Sequence, residues 1–378
     1  MGFNDFFKRE DVYKIIKQTL ETEYSLKVEF LNRLDKATKE SKNKCIFYCI
    51  PRLNIIFSKY VNKRLLIGFL IRTLSGNQSI IKQLMIKLYI VFGVFVPRLF
   101  SSNFMLVCNE DFINTNIIYP GNKKIKILDF KNSTVTNIKK TGFKGNWFHK
   151  EIEFRVNSKY DFVLPILEHN DSRYKEALLT GIPMSRLQNK KRKPFLNKTN
   201  LILDNIKGKP ENIEIKKYVE SLHEIVSQKL SDRSFKQILN ISDMINRYFL
   251  EMDYIINVVD SHGDFQKGNI FITEHGEVKI LDWETFDRRS ENYDTMIYNF
   301  NLRNSHLLVT NMQVFLNDRS TKIEFSNMSR IDILLLFVLE DICWLIEENI
   351  ELPENSISIG LENYNKVTVY NYLQSIIN

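Results

Sequence analysis

The chain has 378 residues, 44% of them hydrophobic and 26% charged, with a net charge of +8. These values belong to a folded globular protein and exclude general disorder, collagen-like repeats and a polytopic membrane protein. Four cysteines, Cys45, Cys49, Cys108 and Cys343, are too few and too scattered for a disulfide framework or a zinc site, so a reducing, cytoplasmic setting is expected.

Residues 1–40 read as a helical piece: DVYKIIKQTLETEYSLKVEFLNRLDKATKE carries apolar residues at three- and four-residue spacing and has no Gly or Pro. The opening MGFNDFFKRED has early acids and no apolar core, so no secretory signal is expected. From 41 to 109 the sequence has no Asp or Glu, yet it holds ten Lys and Arg, which is +10 of a total of +8 and leaves −2 for the remainder. The same stretch is apolar (RLLIGFLIRTL, SIIKQLMIKLYIVFGVFVPRLF). Its uncharged run from Leu88 to Pro97 is well short of the ~18–20 residues a span needs. Three explanations stand: a core-packed helical subdomain with solvated basic edges, basic amphipathic helices on an anionic membrane surface, or a soluble polyanion partner. No zinc-finger or RNP-type signature accompanies the charge, so no nucleic acid is expected.

Past residue 110 short strands are expected. Ile117 to Tyr119 stops at the turn Pro120-Gly121-Asn122; IKILDF, TVTNIKK, DFVLPILEHN and YKEALLT complete a set of five, with the helix NWFHKEIEFR after the third. Residues 184–208 read as basic loop with some helix, 212–253 as helical, 255–284 as strand-loop-strand, and 290 onward as mostly helical. The expected plan is α+β and two-lobed. A helical N-terminal region covers 1–110, a five-stranded lobe with one helix covers 111–180, and a mostly helical lobe covers 181–378.

Residues 259–286, VDSHGDFQKGNIFITEHGEVKILDWETF, are the most informative window. NIFIT and VKILDW form a hairpin about Glu274-His275-Gly276-Glu277. Pairing them returns Asp282 to the neighbourhood of Asn269, with Asp264 on the preceding loop. An amide and a carboxylate are hard oxygen ligands suited to Mg²⁺, which completes its shell with substrate phosphates. A further carboxylate orients a hydroxyl and takes its proton.

HGDFQKGNIF followed by ILDWE resembles the short motif of the aminoglycoside phosphotransferase and choline kinase group, relatives of the protein kinases; the resemblance extends over about 115–300. It implies a protein kinase-like fold, ATP and Mg²⁺ as cofactors, Asp264 as catalytic base, Asn269 and Asp282 as metal ligands, and His262 as a structural brace. Lys267, between base and amide, is a candidate for touching the transferred phosphate, and Asp294 for N-capping and loop bracing. Upstream, the resemblance implies a nucleotide-covering turn at Gly121, with Lys123 and Lys124 adding charge over the phosphates. It also implies an apolar residue against adenine, a strand lysine on the phosphates and a helix glutamate pairing with that lysine. Alternation places Ile138 and Lys140 on one face, so these two are chosen, Lys140 ahead of Lys139, with Glu151 ahead of Glu153 as the partner. YKEALLTGIP resembles the inter-lobe connector, whose backbone near Glu176, Ala177 and Leu178 would meet the adenine edge; Gly181 and Arg186 follow the group's texture.

No Arg follows His262, Asp-Trp-Glu stands where protein kinases carry Asp-Phe-Gly, and no Ala-Pro-Glu follows. The acceptor implied is therefore a small molecule or glycan hydroxyl rather than a protein. Glu340, Asp341, Trp344, Glu347 and Glu348 share one helix and offer a place for a cationic acceptor. The basic segment favours instead a sugar or glycan kinase at the inner membrane face, in envelope polysaccharide assembly. The alternatives are an aminoglycoside- or choline-type kinase and, in another class, a non-catalytic nucleotide-binding scaffold.

Overall fold

The computed structural model describes residues 11–32, 45–76, 78–107, 116–230, 235–303, 307–318, 328–351 and 359–377. The N-terminal MGFNDFFKRE, Lys42, Lys44 and Cys108 lie outside them. In chain order the first elements are α1 (Val12–Tyr24), β1 (Val28–Leu31), β2 (Cys45–Ile50), β3 (Ile55–Ser58), α2 (Lys63–Leu74), α3 (Ile80–Phe95) and the turn α4 (Pro97–Phe100). There follow β4 (Asn103–Val107), β5 (Asn116–Pro120), β6 (Lys124–Asp129), β7 (Thr134–Lys139), α5 (Trp147–Asn157), β8 (Ile166–His169), β9 (Arg173–Ala177), β10 (Gly181–Pro183) and α6 (Asn189–Ile206). The rest comprises β11 (Glu211–Glu214), α7 (Ile215–Lys229), α8 (Lys236–Leu250), β12 (Ile255–Ser261), β13 (Ile270–Thr273), β14 (Val278–Ile280) and β15 (Asp287–Ser290). It ends with α9 (Tyr293–Phe300), α10 (Leu308–Asn317), α11 (Arg330–Glu351), α12 (Ile359–Tyr364) and α13 (Val367–Ile377).

The chain falls into two units. One holds Met1–Leu196, Gly268–Leu281 and Pro353–Asn355; the other holds Asn197–Lys267, Asp282–Leu352 and Ser356–Asn378.

The first unit is built on one nine-stranded sheet of order β1-β4-β2-β3-β5-β6-β7-β9-β8. Strand β2, CIFYCI, is buried at every position, because both faces of the sheet are covered there. Cys45, Phe47 and Cys49 pack with Val12, Ile16 and Leu20 of α1; Ile46, Tyr48 and Ile50 pack with Leu66 and Leu70 of α2 and Ile90 and Val94 of α3. The helices start where side chains satisfy free backbone N–H groups: Asp11 accepts from Lys14 at 3.2 Å, and Asn62 from Arg64 and Leu65 at 3.1 and 3.2 Å.

Residues 1–110 are thus not a helical region apart. Strands β1 to β4 come from them, and β3 pairs with β5 (Ile56↔Ile118), so they extend the same sheet as the five later strands. A strand buried on both faces is a continuous apolar run without alternation, which periodicity alone does not separate from a buried helix. Likewise α6 is a helix of 18 residues where mostly loop was expected.

The second unit has a helical core. Val219 and Leu222 of α7, Ile241 and Ile245 of α8, and Leu335 and Leu339 of α11 belong to one buried cluster. A small sheet of order β11-β12-β15 accompanies it. The α+β expectation therefore holds, with strands in one unit and mostly helices in the other.

Phe47 is fully buried beneath α1. Phe47→Ala is expected to lower unfolding free energy in urea by about 3–5 kcal/mol; a loss within experimental error would remove this residue from the core.

Candidate active site

In the sheet unit one buried cluster of charges stands out. Lys124, at the start of β6, donates to both oxygens of Glu151 on α5, at 3.0 and 2.8 Å, and to the Tyr174 hydroxyl on β9 at 3.3 Å. That hydroxyl donates to Glu151 at 2.8 Å. Arg155, one turn beyond Glu151, lies 3.6 Å from the same carboxylate, donates to the Leu164 carbonyl at 2.7 Å and pairs with Glu176. Burial pushes the Glu151 carboxyl up, but Lys124 and Arg155 outweigh it and hold its pKa below the usual value. Glu153 is exposed.

The lysine that meets Glu151 is therefore Lys124, not Lys140. The reason is the pleat. Asn137 pairs with Lys126 across β6–β7 and with Tyr174 across β7–β9, so Asn137, Lys124 and Tyr174 share the face that α5 covers. Ile138 and Lys140 do lie together, but on the opposite face. Ile138 is in the α1 core with Val12 and Ile16 and is buried there. Lys140, also buried, donates to the Asn122 carbonyl at 3.0 Å and so pins the β5–β6 turn. Gly121 is needed in that turn: its N–H donates to the Lys124 carbonyl at 2.8 Å, and a Cβ would meet that oxygen at 2.9 Å. Lys123 is buried with its ammonium 5.3 Å from the centre of the Trp147 ring.

The connector residues differ from expectation as well. Glu176 is inside β9, paired to Val135 on one side and Ile166 on the other. Its carboxylate accepts from Asn137 at 2.8 Å and from Arg155, a structural role. The Leu178 N–H donates to the Ser133 carbonyl at 2.8 Å, so that donor is used within the sheet rather than held for a base. Gly181 opens β10, which pairs with β13.

The hairpin forms as expected. Ile270 pairs with Ile280 and Ile272 with Val278. At its open end the Leu281 N–H donates to the Asn269 carbonyl at 2.9 Å. Asp282 is the next residue and has φ +59°. A left-handed backbone is costly for most residues and tolerated by Asp; such conformations collect at functional sites.

In the helical unit, β12 runs into the loop His262-Gly263-Asp264. Asp294 of α9 accepts from the His262 N–H at 2.7 Å and the Gly263 N–H at 3.0 Å, so it braces the loop. Gly263 has φ +77°, and a Cβ there would meet the Thr285 carbonyl at 2.3 Å. The fully buried His262 ring accepts from the Asp264 N–H through Nδ1 at 3.2 Å, and its centre is 4.5 Å from that of the Trp283 ring. Asp264 is held at both oxygens: Oδ2 accepts from Gln266 at 3.0 Å and Oδ1 from Arg303 at 3.2 Å. The Lys267 ammonium is 5.5 Å from the centre of the Tyr298 ring.

Arg303 was not foreseen, and it organises this region. Its Nε donates to Asp341 at 3.1 Å, and its guanidinium stacks 3.7 Å from the Trp344 ring centre. Burial alone would lower its pKa; Tyr293, Asp341 and Asp264 raise it, and the guanidinium stays charged. Asp341 also accepts from the hydroxyls of Tyr293 at 3.0 Å and Tyr364 at 2.9 Å. Glu340 is buried and accepts from Ser290 and Tyr218. Glu340 and Asp341, two of the acids offered for a cationic acceptor, are thus engaged inside the unit, the Trp344 ring already carries a cation, and Glu347 is exposed.

No protein-family model matches the chain, and no curated protein matches it. Solved structures similar to it include a thermostable mutant of aminoglycoside phosphotransferase APH(4)-Ia, with 10% identity over 70% of this chain and 94% of that one, at a TM-score of 0.47. Choline kinase LicA from Streptococcus pneumoniae is 13% identical over 68% of this chain and 90% of that one, at 0.45. A choline/ethanolamine kinase family protein from Mesorhizobium loti is 11% identical over 71% and 94%, at 0.43.

The Glu151 cluster sets a pH dependence. Its lowered pKa means the ionised form stabilises the fold above the ordinary carboxylate range, and that stability is lost as pH falls through the lowered value. Glu151→Gln is expected to cost about 3–5 kcal/mol at neutral pH, measured in urea, with the gap to wild type narrowing in acid. A gap that does not change with pH would contradict the pairing. Separately, Gly263→Ala is expected to lower the thermal midpoint, since both its φ and the Thr285 carbonyl oppose a Cβ; an unchanged midpoint would contradict that backbone.

Proposed function

We propose that the chain is an ATP- and Mg²⁺-dependent phosphotransferase whose acceptor is a hydroxyl of a sugar, glycan or other small molecule. The observation that carries this reading is the locked loop of the helical unit. Two backbone donors fixed by Asp294, a left-handed glycine where a Cβ would meet the Thr285 carbonyl, and a carboxylate held at both oxygens hold Asp264 in place. A side chain so constrained suits proton transfer, where geometry decides the rate.

In this reading Asp264 accepts the proton of the acceptor hydroxyl as its oxygen bonds to the γ-phosphorus, the bond to the bridging oxygen breaks and ADP leaves. Asn269 and Asp282 are the residues that would hold magnesium, since an amide and a carboxylate oxygen with phosphate oxygens make the donor set that ion takes. When bound, the ion supplies charge neutralisation for the phosphates. The hairpin register sets Asn269 opposite Leu281, and the left-handed Asp282 turns away from the strand direction directly after it. Arg303 is a positioning residue that fixes the Asp264 carboxylate, and Lys267 is proposed to meet the transferred phosphate. Lys124 and Glu151 tie α5 to the sheet. The stacking of Arg303 on Trp344 favours a neutral hydroxyl acceptor over a small cation. The setting proposed is the cytoplasmic side of a membrane, in envelope polysaccharide assembly.

A second reading is favoured by one observation. Lys124 and Lys140 are each 1% exposed, so neither offers its ammonium to a nucleotide in this conformation. That is what a non-catalytic nucleotide-binding scaffold would show.

Purified protein with ATP, magnesium and a panel of sugars, polyols, aminoglycosides and choline distinguishes these readings, with transfer read by mass spectrometry and nucleotide binding by thermal shift. Asp264→Asn is expected to reduce transfer about 10²- to 10⁴-fold while keeping the nucleotide-dependent shift. Undiminished transfer in that variant would remove Asp264 as base. A shift with no transfer to any acceptor would favour the scaffold.

A further inference from the structure

Helix α3 is apolar on two opposite sides. Its sequence, IIKQLMIKLYIVFGVF, has two charges and no acid. One side is spent in the sheet unit: Ile90 and Val94 belong to the core that includes Ile50 and Leu53, and a Cβ on Gly93 would touch Leu53 at 3.4 Å. The opposite side is not spent. At about 100° per residue, Ile81, Leu84, Met85, Leu88, Phe92 and Phe95 form one continuous stripe facing away from that core. All six are exposed, Ile81 at 73% and Met85 at 64%. Single exposed apolar residues are ordinary on a protein surface, but a contiguous patch of this kind marks an interaction site.

We propose that this stripe docks the chain on an anionic lipid bilayer, with α3 lying in the plane of the interface. The charge pattern selects the occupant. Lys82 and Lys87 are exposed and fall on either edge of the stripe, where their stems can run along apolar surface and their ammonium groups reach lipid phosphates. Arg64 and Arg98 are exposed nearby in sequence, and the stretch 41–109 holds no acid. A second copy of the same face would bring two such cationic surfaces together, which repulsion opposes. The helix has 16 residues, about 24 Å, against the ~30 Å of a hydrocarbon core. No described helix is long and apolar enough to cross a membrane. An amphipathic body with a wide apolar face and basic edges instead lies in the headgroup region. The core-packed explanation of the basic segment describes one side of this helix; the surface-bound one is proposed for the other.

Vesicle co-sedimentation of the full chain tests this without any assumption about phosphotransfer. The probes are vesicles of phosphatidylcholine alone and vesicles in which about 30% of the lipid is phosphatidylglycerol. Wild type is expected to partition at least about tenfold more to the anionic vesicles. Leu84→Ser/Leu88→Ser/Phe92→Ser and Lys82→Glu/Lys87→Glu are each expected to lose that partition about tenfold or more, with unchanged thermal midpoints because all five side chains are exposed. Equal binding to both vesicle types, full binding by either variant, or no binding by wild type would overturn the proposal. So would sedimentation showing a wild-type dimer that the triple-serine variant abolishes while neither protein binds vesicles.

Discussion

The Asp294 carboxylate and the two backbone N–H groups it accepts are the interaction on which the candidate site depends. A strand leaving a sheet exposes donors that no ladder satisfies, and buried orphans of that kind cost free energy comparable to a lost hydrogen bond. Here both donors at the end of β12 meet one buried carboxylate from α9. Gly263, which carries the second of these donors, is left-handed, and His262 returns its Nδ1 to the Asp264 N–H. Each element makes the next one possible: without the turn the imidazole lacks its donor, and without Asp294 the turn loses the acceptor that its two N–H groups share.

The sheet unit is governed by a different constraint, the allocation of its two faces. The α1 face is filled by hydrocarbon from β2 across to β7, and Ile138 is part of that filling. The other face changes character along the sheet: it is apolar under α2 and α3, then charged under α5. A lysine beside α5 meets carboxylate, while Lys140, on the α1 side, donates to the Asn122 carbonyl. The pairing of Lys124 with Glu151 follows from β6 being in register with β7, one strand before the one expected to carry the lysine.

How much of this was legible in the sequence follows from which features are local. The hairpin was legible because its turn, its alternation and its flanking Asn269 and Asp282 lie within 14 residues. Asp294 was legible as a loop brace, and Glu151 as the paired acid of its helix, since it falls on the same side as Phe148 and Ile152. Alternation correctly grouped Ile138 with Lys140 but said nothing about which face α5 would cover; that is set by tertiary packing, through Tyr174 and Trp147. The strands in 41–109 were hidden because CIFYCI and IIFS, buried on both sides, lack the period of two that marks a half-exposed strand. Arg303 left no signal, being 39 residues from Asp264 in sequence and outside any motif.

Arg303 also bears on how the site differs from one built for a cation. Aromatic rings attract cations through their faces, and carboxylates beside them strengthen the attraction. Trp344 and Asp341 form such a pair, and a sequence reading assigns them to a ligand. In the folded unit the pair is filled by the protein's own guanidinium, which bridges Asp341 to Asp264 with one nitrogen each. An incoming ammonium at that ring would have to displace an arginine whose charge its neighbours stabilise, and would leave Asp264 without a group that orients it. The guanidinium that fixes the Asp264 carboxylate therefore also occupies the Trp344 face and the Asp341 carboxylate, so that pair is part of the scaffold that orients Asp264.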